Sequence, residues 1–386
     1  MSFDFDTVHD RRRTESNKWH KYPADVLPLW VADMDFRSPE AVIRALHERV
    51  EHGFFGYGHE QPEFYEVVTE RLLKRYGWRV SPEAILHQPG VIPGFNLACR
   101  AFASPGDGAV VQTPMYPPIL RAPVNCGLSR DEAPLARQAD GRYVIDFDAF
   151  RAAIRERTKL FLLCNPHNPV GRVYERADLA RLARICLERG LVICADEIHC
   201  DLVYPGHAHV PIASIDPEIE RHTITLMAPS KTFNLPGLKS SIAIIPNAAL
   251  REKFVAAQVD LVRAANVLGY TATLAAYRDG QPWLDALLRY LEGNRDFAGE
   301  YVRTRLPGVE MSPPDGTYLA WLDCRAARLP NDDPHTFFLE RARVALNDGA
   351  AFGAPGRGFV RLNYACPRTL LTQALDRMRD ALAARA

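Results

Sequence analysis

The chain has 386 residues, 47% hydrophobic and 24% charged, with 47 Lys plus Arg balancing 47 Asp plus Glu. That length allows one large domain with a satellite and a core that needs no disulfide or metal staple. Zero formal net charge leaves no basic footprint for nucleic acid and no pull toward an anionic membrane.

In chain order, Met1 to Lys21 is polar and charged, unlike a secretory leader. No apolar run nears the roughly 20 residues of a membrane span. Short apolar runs at 85–89, 109–113, 160–164, 191–195, 223–227 and 241–245 read as strands buried on both faces. Helical patterns lie between them. One covers 95–102 and closes on Ser104-Pro105-Gly106-Asp107, and another covers 146–156. A third, 175–189, puts Leu179, Leu182, Ile185 and Cys186 on one stripe and stops at Gly190. The alternation predicts an α/β domain with a mostly parallel sheet, whose ligands sit at the carboxyl ends of the strands.

Past Gln281 the pattern changes to a long helix over 282–306, a strand over 317–322, a helix around 334–346, a strand over 359–362 and a closing helix over 367–384. This predicts a smaller α+β domain of residues 283–386 joined by 1–28, against a large domain of 29–282. The eight cysteines form no Cys-x-x-Cys pair, and Cys164, Cys186 and Cys194 lie in apolar stretches as small buried hydrophobes. A cytoplasmic protein with reduced thiols fits this usage.

Four segments at the expected strand ends carry candidate chemistry. Gln88-Pro-Gly-Val-Ile-Pro-Gly-Phe-Asn96 is a Gly/Pro turn opening a helix, where backbone N–H groups make either an anion site or only a turn. Asn165-Pro166-His167-Asn168-Pro169-Val170-Gly171 demands a rigid, sharply shaped loop whose Asn168 amide can donate to a phenolate oxygen. Asp196, after the run 191–195, suits either the partner of a buried cation such as a pyridinium nitrogen or a helix cap. Lys231 follows another buried strand between the hydroxyls of Ser230 and Thr232, in Met227-Ala-Pro-Ser-Lys-Thr-Phe-Asn-Leu-Pro-Gly237. Desolvation there would free its amine as a nucleophile toward an aldehyde, whereas a solvated strand end would leave it an ordinary lysine.

Taken together and in this order, with Tyr116 between the first two, the segments resemble the fold-type I pyridoxal 5′-phosphate (PLP) enzymes of the aspartate aminotransferase superfamily. Three signatures, Leu29-Trp-Val-Ala-Asp-Met-Asp-Phe36, Asp196-Glu-Ile-His-Cys200 and Ser230-Lys-Thr-Phe-Asn-Leu-Pro-Gly237, are similar to the cystathionine β-lyase, or C–S lyase, branch.

The resemblance implies a carbon–sulfur β-lyase acting on cystathionine or other cysteine S-conjugates, with an aminotransferase as the alternative. It implies Lys231 as the Schiff-base lysine, Asp196 at the pyridine nitrogen, Asn168 at the ring hydroxyl and Tyr116 stacked on the ring. Lys231, Asp196 and Tyr116 would carry the catalysis. Val91, Ile92 and Ser230 would hold the phosphate, with Tyr57 reaching phosphate and substrate from the neighbouring subunit of a homodimer. Arg361, in Val360-Arg-Leu-Asn363, would bind the substrate carboxylate. His199 stands where typical aminotransferases carry Tyr, and would contact the ring oxygen or support Asp196. Ala228 and Lys239 replace a Ser and an Arg that many relatives carry, leaving Lys239 as a point charge for the phosphate. A DNA-binding regulator finds no room before Leu29, and His207-Ala-His209 lacks the ligand cluster of a metal site.

Overall fold

The computed structural model describes residues 3–259, 261, 262 and 266–384. Its centre is a seven-stranded sheet in the spatial order Ile85–Gln88, Ser241–Ile244, Thr223–Met227, Val192–Asp196, Thr158–Cys164, Gly108–Thr113, Ser129–Pro134. Ser241–Ile244 runs antiparallel to both neighbours, and every other adjacent pair is parallel. Five of the strand runs read from the sequence lie in this sheet almost fully buried, because crossover helices cover both faces. The Ser129–Pro134 strand was not expected. It is an edge strand with the sequence Ser-Arg-Asp-Glu-Ala-Pro, and its charged positions mask the apolar alternation.

The helix expected over 95–102 starts earlier, at Val91, since Pro93 lies in the first turn where no helical amide bond is lost. Arg176–Glu188 and the long Gln281–Arg305 fall within a residue or two of expectation. A four-stranded antiparallel sheet follows, ordered Glu310–Met311, Leu319–Asp323, Phe359–Asn363, Asn347–Asp348. The helix expected around 334–346 is much shorter. Pro334–Phe337 gives way to a wider turn over Phe338–Ala342 that stops at Arg343 in left-handed backbone, φ 55°. Val344–Ala345 then pairs in parallel with Leu27–Pro28, so ladder bonding to the N-terminal segment wins over local helix propensity.

The segment after Leu27–Pro28 is clamped between two halves of the molecule. Asn363 Nδ2 donates to the Val31 and Asp33 carbonyls at 2.7 and 2.9 Å. Asn234 Nδ2 donates to the Met34 and Phe36 carbonyls at 3.1 and 2.7 Å. Asp35 is buried against Lys18 at 2.7 Å and Arg11 at 2.9 Å. The Leu29–Phe36 signature is therefore a stretch of fixed backbone whose carbonyls are held by two asparagine side chains, Asn363 and Asn234.

Candidate active site

The carboxyl ends of the central strands open into a cavity of about 540 Å³ lined by Lys231, Asp196, Asn168, Tyr116, His199 and the Gly90–Ile92 turn, among others. Lys231 lies in the short turn Pro229–Thr232 that follows Thr223–Met227. Its Nζ donates to the Ala32 carbonyl at 2.7 Å. Burial, helped by the Arg361 charge and opposed by Asp33 and Asp196, lowers its pKa to about 8. An amine in this range is partly unprotonated near neutrality and is a competent nucleophile.

Asp196 ends the strand Val192–Asp196 and is buried. One oxygen accepts from the Ile198 amide at 3.1 Å. Burial pushes its pKa up to about 7, against the pull of that amide and of Lys231. A buried carboxylate so poorly neutralised is poised for a cation from outside the chain.

Asn168 sits on a loop whose Asn165–Pro166 and Asn168–Pro169 bonds are both cis. Asn165 Oδ1 accepts from the Tyr174 amide at 3.0 Å, and Gly171 in left-handed backbone packs so closely on Pro314 that any side chain would collide. Arg172 and Arg142 both reach Asp315, the latter at 3.1 Å, and this ties the loop to the segment before Leu319–Asp323. Arg361, the central residue of Phe359–Asn363, donates from Nη1 to Asn168 Oδ1 at 2.8 Å and from Nη2 to the Trp30 carbonyl at 3.2 Å. It also donates to Asn347 Oδ1 and lies 4.9 Å over the Phe352 ring. Tyr116 precedes the helix Pro117–Asn125 and lines the cavity, its phenol raised by burial against the Arg361 charge.

At the other end of the cavity, Gly90 precedes the helix Val91–Phe102, and Val91, Ile92, Ser230 and Lys239 line the wall. Ala228 lines it too, without a hydroxyl. His199 is buried edge-on to the Tyr318 ring at 5.8 Å, and its Nδ1 has no hydrogen-bond partner among the described residues.

Nine of the expected positions thus meet around one cavity, and Arg361 is bonded to one of the nine, Asn168. Tyr57 does not join them within the single chain. It is fully exposed on a segment that lines a separate groove with Arg49, Phe54, His87, Val267 and Tyr270. Reading the sequence missed the Ala32 carbonyl, Tyr318 (whose hydroxyl donates to that carbonyl at 3.2 Å), Asn347 and Ser240. Only Ala32 had a signal, its place inside the Leu29–Phe36 signature. Beneath the cavity, Thr232 donates to Asp201 at 3.1 Å, and the buried Asp201 also takes Arg71 at 2.9 Å, Arg75 at 2.8 Å and the Tyr76 hydroxyl at 2.9 Å. His207 and His209 are engaged by Asp315 and Glu197, at 3.3 and 2.9 Å. No helix among the described residues is long and apolar enough to cross a membrane.

The chain is similar to known proteins over nearly its whole length. Over 386 aligned positions the chain is 42% identical to cystathionine beta-lyase PatB of Bacillus subtilis, covering 98% of this chain and 100% of that protein. Cystalysin from Treponema denticola, whose crystal structure contains a pyridoxal 5′-phosphate cofactor, matches with a TM-score of 0.96 at 32% identity over 100% of both chains. The PLP-bound C–S lyase from Staphylococcus hominis matches with a TM-score of 0.93 at 34% identity over 99% of each. The sequence profile for aminotransferase class I and II matches residues 24–378, so the chain belongs to the class I and II aminotransferase family.

Proposed function

We propose that this protein is a pyridoxal 5′-phosphate-dependent carbon–sulfur β-lyase that cleaves L-cystathionine or related L-cysteine S-conjugates to a thiol, pyruvate and ammonia. The observation that carries the reading is one cavity holding both a lysine amine with a lowered pKa, Lys231, and a buried carboxylate with a raised one, Asp196. The full-length relatives named for this chemistry support it.

The lining fits the cofactor on its own terms. Among the described residues Asp196 has no ion-pair partner in contact and His199 Nδ1 has no hydrogen-bond partner, and the Val91–Phe102 helix begins at the far wall. Lys231 would hold the cofactor covalently, Asp196 would keep its pyridine nitrogen protonated, and Asn168 would donate to its ring hydroxyl. Tyr116 would stack on the ring, with His199 near the ring oxygen. Val91, Ile92, Ser230 and Lys239 would hold the phosphate. When bound, the cofactor supplies an electron sink for the charge left at the substrate Cα.

Everything else is the work of the chain. Arg361 offers a planar fork to the substrate carboxylate and fixes which Cα bond points at Lys231. The Lys231 amine would act as the base that takes the Cα proton. It then returns a proton to the leaving sulfur, a general-acid contribution of roughly 10²–10⁴-fold. Tyr57 would act across a homodimer, reaching the partner's phosphate and substrate. Exposed Phe54, Phe55, Val259 and Leu261 supply apolar surface for such an interface.

Incubation with L-cystathionine tests the reading. Stoichiometric pyruvate and free thiol support elimination. Consumption of the amino acid only in the presence of a 2-oxo acid acceptor, without thiol release, would instead support transamination.

A further inference from the structure

His87 lies on the edge strand Ile85–Gln88, opposite Ile242 of the antiparallel neighbour. Ser240 lies two residues before Ile242, so the pleat puts it on the same face as His87 and within diagonal reach. His87 Nε2 is 2.7 Å from Ser240 Oγ, and Nδ1 is 3.0 Å from Glu60 Oε1. Ser240 Oγ is in turn 2.6 Å from Thr273 Oγ1, which donates to the Gly269 carbonyl at 2.8 Å. The His87 side chain is 2% exposed.

The final acceptor fixes the direction of the whole chain. A hydroxyl has one proton, and Thr273 spends its own on Gly269, so Ser240 must donate to Thr273. Ser240 then accepts from His87 Nε2–H. The other ring nitrogen faces a carboxylate, and the bond from His87 holds the Glu60 carboxyl below its usual range. His87 thus bridges the Glu60 carboxyl and the Ser240 hydroxyl through its two ring nitrogens. Ser240 lines the cavity but has no proton left to offer an anion there.

Its neighbour Lys239 also lines the cavity, in left-handed backbone with φ 52°. That conformation is disfavoured for a non-glycine residue and persists only where the surroundings enforce it. Here they do. The Asn266 amide donates to the Leu238 carbonyl on one side of Lys239, and Gly269 lets its helix approach so closely that a Cβ would strike that same carbonyl. On the other side of Lys239, Ser240 is gripped between His87 and Thr273.

We propose that Glu60, His87, Ser240 and Thr273 are positioning residues, a hydrogen-bonded relay that holds Lys239 at the phosphate end of the cofactor cavity. The inference rests on the phosphate reading made above. It also connects Glu60, which closes the exposed segment bearing Tyr57, through His87 and Ser240 to Lys239.

The test compares apoprotein affinity for pyridoxal 5′-phosphate with that for pyridoxal, which lacks the phosphate, by equilibrium dialysis. Lys239→Ala should lower the ratio of the two affinities. Ser240→Ala, His87→Phe and Thr273→Val should each lower it about tenfold, the equivalent of one hydrogen bond's worth of positioning, while pyridoxal affinity stays constant. Thr273→Ser, which keeps the hydroxyl, should retain the wild-type ratio even if other variants fold poorly. If Lys239→Ala lowers the ratio and Ser240→Ala and Thr273→Val do not, the relay is overturned and the phosphate reading stands. If Lys239→Ala leaves the ratio unchanged, the phosphate reading fails and the relay falls with it.

Discussion

Arg361 donates from Nη1 to Asn168 Oδ1 at 2.8 Å, joining residues that lie 193 positions apart in the chain. A guanidinium can only donate, so it fixes the Asn168 amide with its oxygen toward Arg361 and its Nδ2 free to donate elsewhere. The residue proposed for substrate capture thereby also orients the residue proposed for the ring hydroxyl. Arg361→Lys, which keeps charge and loses the fork, should cost about 2 kcal/mol, roughly thirtyfold in kcat/KM. Steady-state kinetics with L-cystathionine check this, and an unchanged kcat/KM would remove Arg361 from the site.

Lys231→Ala should abolish both turnover and the visible absorbance of bound cofactor. In the wild-type apoprotein, the pKa of about 8 sets the pH dependence of cofactor capture. Only the unprotonated amine attacks an aldehyde, so the capture rate should rise with pH through about 8 and then level off. Stopped-flow absorbance measures it. An inflection near 10.5, the ordinary lysine value, would show that burial does not act on this amine.

Asp196→Asn preserves shape and removes charge. Losing the partner of a protonated ring nitrogen should lower kcat on the order of a hundredfold, the scale of one preorganised electrostatic contact. Cofactor should still bind, since Lys231 and the phosphate end remain. A variant with wild-type kcat would leave Asp196 only the turn contact to the Ile198 amide.

Asp201 tests the support under the site. It is buried, and although burial raises its pKa, Arg71 and Arg75 hold it down to about 2. A carboxylate depressed on folding stabilises the protein above the ordinary aspartate range, and that contribution is lost as pH falls through about 2. Asp201→Asn leaves two buried guanidinium groups short of an anion and should destabilise by about 3–5 kcal/mol at neutral pH. Chemical denaturation reads this directly. A loss under 1 kcal/mol would mean that solvent screens the cluster.

Tyr57 tests the homodimer. Lys231→Ala and Tyr57→Ala proteins, each inactive or weak alone, should regain activity when unfolded, mixed and refolded together. In a mixed dimer one site carries both changes and the other neither, so recovery should approach about a quarter of wild type. No recovery beyond the parents' sum, with mixed dimers shown by mass spectrometry, would place Tyr57 outside the partner's site.

The sequence by itself determined the strand order along the chain, the α/β class and most of the cavity's side chains. Buried strands and Gly/Pro turns are local signals, readable a few residues at a time, and Lys231, Asp196 and Asn168 each lie at or shortly past the end of one. Where a distant partner competed, local reading failed, as at Val344–Ala345, whose pairing with Leu27–Pro28 ended the expected helix. Only the tertiary structure decided that the Ala32 carbonyl meets Lys231 across 199 residues, that Arg361 orients Asn168, and that Tyr57 faces away from its own cavity. Those relationships depend on packing through space, and backbone carbonyls and diagonal strand neighbours such as His87 and Ser240 leave no mark on residue identity that spacing alone could reveal.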